Sequence, residues 1–121
     1  MNISVGTDII EISRIEKLVS KPRFMKRVFS ERERKYIMSK GKGKAQTAAG
    51  MFAAKEAFGK AMSTGVFPNT LKDIEIIHDD KGAPCLELGG EFKEKYRSTV
   101  FCVSISHCEH YALATVIAYR A

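Results

Sequence analysis

Two oppositely charged side chains, Glu56 and Lys60, lie one helical turn apart in an alanine-rich segment. Residues 48–61 predict a helix, because alanine is the best helix former and no β-branched residue interrupts the run. At 100° per residue, Glu56 and Lys60 share a face with only Ala49 and Ala53 beside them. That face leaves room for a ligand to approach a carboxylate and an ammonium. The alternative is an ordinary surface ion pair worth about 0.2–0.5 kcal/mol.

Asp8 is a second candidate carboxylate, and it directly follows a strand predicted over residues 2–7. Two hard oxygen ligands on rigid elements suit Mg²⁺, which takes one or two protein carboxylates and completes its shell with water and substrate phosphate. The alternative role for Asp8 is to cap the helix that follows. Spacing in the sequence does not show whether Asp8 and Glu56 meet.

Length and composition favour one compact domain over residues 1–121, since 45% of the chain is hydrophobic. We expect no secretory signal and no membrane-spanning segment. The three cysteines are an odd number without CxxC spacing, which predicts free thiols and a cytoplasmic protein.

Positive charge is concentrated in the first third of the chain. Residues 1–44 hold 12 Lys and Arg against 5 Asp and Glu, a net of +7, whereas the whole chain carries +6. Such a segment favours an anionic partner: nucleic acid, a membrane surface, a phosphorylated ligand or an acidic protein. Lys42 lies between Gly41 and Gly43, and Lys44 follows Gly43, in a segment predicted to be a flexible loop. These two lysines could reach phosphates or could be solvated loop charge.

The remaining pattern predicts an α+β fold, with one mainly antiparallel sheet packed against helices. Short helices are predicted before residue 40, including one that starts at the capping box Ser30–Glu33. The alanine-rich helix is expected to end near residues 63–65, where Gly65 would supply a left-handed C-cap. Strands are predicted over residues 73–79, 84–88, 100–106 and 111–119, the last two as a hairpin.

Three separated motifs carry a family resemblance. Residues 5–15 read V-G-T-D-I-I-E-I-S-R-I, residues 52–61 read F-A-A-K-E-A-F-G-K-A, and residues 103–107 read V-S-I-S-H. In this order, over nearly the whole chain, they resemble the holo-[acyl-carrier-protein] synthases, the short single-domain type of 4′-phosphopantetheinyl transferase. The resemblance implies transfer of 4′-phosphopantetheine from coenzyme A to a serine of apo acyl carrier protein, releasing adenosine 3′,5′-bisphosphate, in support of fatty acid biosynthesis.

The resemblance also implies roles for the charged residues. Asp8 and Glu56 would hold Mg²⁺, and Lys60 would lie beside the diphosphate of coenzyme A. Phosphoryl transfer needs charge neutralisation and alignment more than covalent help, so this set is sufficient. The serine hydroxyl still needs a base, which is either Glu56 or a water near the metal. His107, at the end of an apolar strand, is a candidate for orienting a ligand, or else a plain turn histidine.

Two further implications concern partners. Arg14, Arg23 and Arg27 would engage the acidic carrier protein, which gives the basic first third a specific partner with gains mainly in association rate. The family resemblance also implies a homotrimer with active sites between subunits.

One position departs from the family pattern. Many relatives carry arginine directly before the Phe-Ala pair, where this chain has Met51. If that arginine contacts the phosphates of coenzyme A, another cation must replace it here, and Lys42 and Lys44 are the candidates.

Two other functions compete with this interpretation. A small RNA-binding module would explain the basic first third, but the chain lacks an aromatic-rich RNA-binding strand and the motifs would be unexplained. An interaction protein with a decayed active site conflicts with the intact Asp8, Glu56 and Lys60.

Overall fold

The structure is a computed structural model that describes residues 2–66 and 69–120. Within these ranges the chain forms α-helices and β-strands, with 3₁₀ turns at Gly41–Gly43 and Leu71–Asp73. In chain order the elements are β1 Asn2–Glu11, α1 Ile12–Val19, α2 Pro22–Val28, α3 Glu31–Met38, α4 Lys44–Ala61, β2 Ile74–His78, β3 Pro84–Leu88, α5 Gly90–Lys95, β4 Val100–His107 and β5 Tyr111–Arg120.

The strands form two antiparallel sheets. The larger sheet has the order β1-β5-β4, and β2 pairs with β3 in a separate hairpin. The predicted α+β class and the β4–β5 hairpin are confirmed. The prediction of one sheet is wrong, because α5 and the turn after it intervene between β3 and β4, and the described strands of the two sheets share no hydrogen-bonded ladder.

The alanine-rich helix α4 packs against one face of the larger sheet, and small residues allow a close approach. The residues of β5 that face α4 are buried and mostly alanine: Ala112, Ala114, Val116 and Ala118. A Cβ atom on Gly50 of α4 would lie 2.6 Å from the Cγ2 atom of Ile105 in β4. The core of the protein therefore lies around α4.

Asp8 lies within β1 and not after it. The strand continues through Ile9 and Ile10, whose β-branched side chains favour extended structure, and these residues pair with Leu113 and Ala112 of β5. The N-cap position of α1 belongs to Glu11, so the capping role for Asp8 is excluded.

Two other predicted boundaries differ in the structure. Helix α4 ends at Ala61, and the left-handed residue after it is Ser63 (φ 53°), not Gly65. The lysine-rich segment predicted as a flexible loop instead forms the 3₁₀ turn Gly41–Gly43, and Lys44 is already the first residue of α4. The capping box at Ser30–Glu33 is confirmed at the start of α3. No helix in the described ranges has the length and apolar character needed to cross a membrane.

Candidate active site

Asp8 and Lys60 meet where β1 crosses α4. The face of β1 that includes Gly6, Asp8 and Ile10 is turned towards the helix, since Gly6 and Ile10 are buried there. The Nζ atom of Lys60 lies 3.1 Å from Oδ1 of Asp8 and donates a hydrogen bond to it. The Asp8 side chain is 19% exposed and that of Lys60 is 58% exposed, so the pair opens to solvent on the lysine side.

Glu56, one turn before Lys60, belongs to the same cluster. Burial raises the pKa of the Glu56 carboxyl, and the negative charge of Asp8 raises it further. The positive charges of Lys60 and Arg14 lower that pKa in part. Lys60 forms its ion pair with Asp8, so the interpretation of Glu56 and Lys60 as an isolated surface pair is wrong. The structure therefore brings two carboxylates and two cations into one electrostatic cluster.

The three predicted arginines lie on α1 and α2. Arg14 is close enough to Glu56 to affect its titration. Arg23 and Arg27 line an open groove of about 680 Å³, together with Lys26, Asn69 and Lys72. Among the residues that the structure describes, no acidic side chain lines this groove, which we call the cationic groove.

His107 lies at the last residue of β4, opposite Ala112 of β5. Because β5 separates β4 from β1, the backbone of His107 is roughly 10 Å or more from β1 at the usual strand spacing. Within one chain the fold therefore does not place His107 beside Asp8.

Lys42 and Lys44 lie at the N-terminal end of α4. Glu56 is twelve residues further along the helix than Lys44, a rise of roughly 18 Å. Met51, which departs from the family pattern described above, is buried, with 1% of its surface exposed. Only an extended ligand could touch both Lys44 and the Glu56–Lys60 turn of the same chain.

A buried ion pair that was not predicted from the sequence joins Lys55, the residue before Glu56, to Glu33. Lys55 and Glu33 are both fully buried, and the Nζ atom of Lys55 lies 2.8 Å from Oε1 of Glu33. Burial lowers the pKa of Lys55 and raises that of Glu33, and the attraction between the two charges opposes both shifts. A signal was present, because the periodicity places Lys55 on the side of α4 that carries Met51 and Phe58. A lysine on a buried face needs a buried acceptor.

Comparison with known proteins identifies the family. Residues 4–116 match the family model of the 4′-phosphopantetheinyl transferase superfamily. The chain belongs to this superfamily. The resemblance inferred from the three motifs is confirmed, and with it the assignment of the chain as a transferase.

Relatives of known name agree with this placement. A holo-[acyl-carrier-protein] synthase of Oceanobacillus iheyensis is 44% identical over 119 residues, which cover 97% of this chain and 96% of that protein. One from Treponema denticola is 41% identical over 121 residues, covering 97% and 98% of the two chains.

Solved structures show the same architecture. A holo-[acyl-carrier-protein] synthase from Bacillus anthracis, in complex with CoA (3′,5′-ADP), is 37% identical with a TM-score of 0.82, covering 98% of this chain and 96% of that one. The Helicobacter pylori enzyme in complex with coenzyme A is 35% identical with a TM-score of 0.80, covering 95% and 99%. The predicted fold class is confirmed at this level too.

Proposed function

We propose that this chain transfers the 4′-phosphopantetheine group of coenzyme A to a serine of apo acyl carrier protein, using Mg²⁺ held by Asp8 and Glu56. The products are holo acyl carrier protein, for fatty acid biosynthesis, and adenosine 3′,5′-bisphosphate. The observation that carries the proposal is the meeting of two carboxylates with the Lys60 ammonium where β1 crosses α4. The coenzyme A complexes of the related synthases support the donor.

The donor set fits Mg²⁺. Carboxylate oxygens are its preferred protein ligands, and one or two of them commonly suffice beside water and substrate phosphate. The described residues contain no cluster of three or more His, Cys, Asp or Glu side chains that could enclose a metal. The raised pKa of Glu56 reflects in part the nearby negative charge of Asp8, which a cation between the two would offset.

Bound magnesium would supply charge neutralisation at the diphosphate. Lys60, exposed and oriented by Asp8, would hold a diphosphate oxygen through its remaining N–H donors. The serine oxygen forms a bond to the β-phosphorus, and the bond from that phosphorus to the bisphosphate leaving group breaks. The serine proton has two candidate acceptors, the Glu56 carboxylate and a water near the metal.

We assign the acidic carrier protein to the basic surface of α1 and α2. Arg23 and Arg27 line the cationic groove, and Arg14 connects this surface electrostatically to Glu56. A carrier docked on Arg14 would lie near Glu56, the carboxyl whose titration Arg14 affects. The main gain from such charge complementarity is in association rate and specificity.

We propose that the other face of the larger sheet forms the contacts between subunits in a homotrimer. This face carries exposed apolar side chains on neighbouring strands: Ile3, Val5, Ile9, Val100, Tyr111, Leu113, Ile117 and Tyr119. A contiguous apolar surface of this kind marks an interaction site. Within one chain, His107 does not lie beside Asp8. If the active sites lie between subunits, His107 of one copy would contribute to the site formed by Asp8 of a neighbouring copy.

The remaining assignments concern the phosphates of coenzyme A and the location of the reaction. Lys42 and Lys44 are proposed as phosphate contacts for coenzyme A in place of the arginine absent at Met51. We treat residues 1–121 as one domain and place the reaction in the cytoplasm, in keeping with the free cysteines Cys85, Cys102 and Cys108.

The direct test is incubation of the chain with apo acyl carrier protein, coenzyme A and Mg²⁺, followed by intact mass measurement of the carrier. We expect a mass gain of one phosphopantetheine group that depends on all three components. A carrier protein whose serine is replaced by alanine is the matched control. An unchanged carrier mass, with a folded preparation, would refute the proposed activity.

A further inference from the structure

The ammonium of Lys55 lies fully buried at a point where three elements meet. Its Nζ atom donates to Oε1 of Glu33 at 2.8 Å and to the carbonyl oxygens of Leu71 and Ile74, each at 2.7 Å. An ammonium has three donors, so each has one acceptor. The acceptors belong to α3, to the 3₁₀ turn Leu71–Asp73 and to the first residue of β2.

Glu33 is equally well satisfied. Besides Lys55, its carboxylate accepts hydrogen bonds from the backbone N–H of Ser30 and the backbone N–H of Ile76, both at 2.9 Å. The network therefore ties α4 to α3 and β2 without a free donor on Lys55. Fully satisfied buried networks of this kind rigidify a structure and specify one arrangement.

The 3₁₀ turn Leu71–Asp73 accepts a hydrogen bond from Lys55 on its buried side and carries the exposed cation Lys72. The carbonyls of Leu71 and Ile74 bracket Lys72, whose side chain is exposed. Lys72 lines the cationic groove together with Arg23 and Arg27 of α2. The position of this wall of the groove is thus set by hydrogen bonds to Lys55.

A contribution to the stability of the folded protein does not by itself explain why Lys55 and Glu33 are buried. Well-packed apolar residues in place of a buried ion pair are often equally stable or more stable. An apolar side chain at residue 55 could not bind two backbone carbonyls on either side of Lys72. The network contributes a defined position for the turn, which packing alone would leave less constrained.

We propose that Lys55, through its buried contacts with Glu33 and the turn Leu71–Asp73, is a positioning residue for Lys72 and thereby fixes the wall of the groove that receives the acidic carrier protein. This inference rests on the proposed assignment of the cationic groove to the carrier. Lys55 itself touches neither substrate.

The test is a double-mutant cycle on Lys55 and Lys72, with steady-state kinetics at varied apo carrier and saturating coenzyme A and Mg²⁺. We expect Lys72→Ala to raise the KM for the carrier about two- to fivefold, the range of a surface charge pair. Lys55→Met should raise it by a similar factor, and the double variant should raise it no further, because Lys72 is already misplaced. Independent, multiplying effects would overturn the inference.

A matched control separates positioning from loss of stability. Met51→Ala opens a cavity on the same helix, at a residue with no bond to the turn, and should lower stability without raising the carrier KM in the folded fraction. An equal rise in KM for Met51→Ala would overturn the inference.

The other outcomes are also distinguishable. If Lys72→Ala leaves the carrier KM unchanged, both the carrier assignment of the groove and the inference fail. If Lys72→Ala raises KM and Lys55→Met does not, only the inference fails. Should Lys55→Met not fold, Lys55→Gln, whose amide can still donate to one of the two carbonyls, takes its place in the cycle.

Discussion

Gly6 of β1 and Ala57 of α4 are in direct backbone contact. A Cβ atom on Gly6 would lie 2.0 Å from the carbonyl oxygen of Ala57 and 2.5 Å from the backbone nitrogen of Ala61. Asp8 follows two residues later on the same face of the strand and reaches Lys60. The candidate metal site therefore depends on the absence of a side chain at residue 6.

Substitution Gly6→Ala should destabilise the protein and disrupt the site together. The atoms in the way are backbone atoms of α4 and cannot move independently, so the strand must separate from the helix. We expect a loss of about 1–3 kcal/mol or more in the free energy of unfolding, measured by urea denaturation, together with weaker Mg²⁺ binding. The control is Gly43→Ala, where a Cβ atom would lie 3.9 Å from the Cβ atom of Lys40. A change above about 0.5 kcal/mol there, or none at Gly6, would contradict the steric argument.

The two carboxylates can be tested by Asp8→Asn and Glu56→Gln. Each change keeps the shape and removes a charge that the proposed metal requires, so turnover should fall by about 100-fold or more. Folding should persist, because removal of one of two neighbouring negative charges does not break the core. Activity is measured at saturating Mg²⁺ and folding by circular dichroism. Glu109→Gln, on the exposed β4–β5 turn, should leave turnover unchanged. Full activity in either site variant would refute the metal assignment.

Lys60→Ala tests the proposed diphosphate contact. The ion pair with Asp8 is largely exposed on the lysine side, so its removal should change the free energy of unfolding by less than about 1 kcal/mol. The KM for coenzyme A should rise clearly, and Lys60→Arg should recover part of the loss. Lys35→Ala, which removes an exposed pair with Glu31, is the control for a change of surface charge. An unchanged KM for coenzyme A would exclude Lys60 from the diphosphate site.

Much of the candidate site could be predicted from local pattern. Helical periodicity placed Glu56 and Lys60 together on α4, and motif resemblance added Asp8. The sequence could not show that Asp8 and Lys60 meet, because their contact joins residues 52 positions apart through the packing of β1 on α4. The strand predicted over residues 2–7 ends too early. Asp8 pairs with Ala114 of β5, so the β1–β5 ladder continues past residue 7.

The buried pair of Lys55 and Glu33 shows a second limit. Both residues have high intrinsic helix propensity and are usually exposed, so composition favours a surface position for each. Only the tertiary arrangement supplies the backbone acceptors that make burial of the ammonium tolerable. Periodicity indicated the face of Lys55 but could not identify its partner.

Stability should fall in acid through Glu75. Hydrogen bonds from Arg32, and one from the hydroxyl of Ser30, lower the pKa of Glu75 below its ordinary value of 4.5. A carboxyl with a lower pKa in the folded state stabilises the protein above its unfolded pKa, and that contribution is lost as the pH falls through the folded pKa. Urea denaturation between about pH 5 and pH 3 should show a smaller loss for Glu75→Gln than for the unmodified chain. Glu94→Gln, which removes an exposed pair with Arg97, is the control. Identical pH dependence in the Glu75 variant and the unmodified chain would contradict this account.

The apolar outer face of the larger sheet gives the clearest prediction for assembly. Ile117 lies on the central strand β5, opposite Val5 and Cys102, and 42% of its surface is exposed. Ile117→Asp should cost little in an isolated chain but would bury an unpaired charge between subunits, which is strongly unfavourable. Sedimentation should therefore give three times the chain mass of 13.5 kDa for the unmodified protein and the chain mass for the variant, with loss of activity.

The matched control for assembly is Met38→Asp. Met38 is also an exposed apolar residue, at 53%, but it lies at the end of α3 and outside the sheet. This variant should sediment like the unmodified protein and remain active. A monomeric unmodified protein with full activity would show that the sites do not need neighbouring subunits. A trimeric Ile117→Asp variant would show that the subunits meet through a different surface, since a buried, unpaired aspartate on the central strand would not be tolerated in a packed interface.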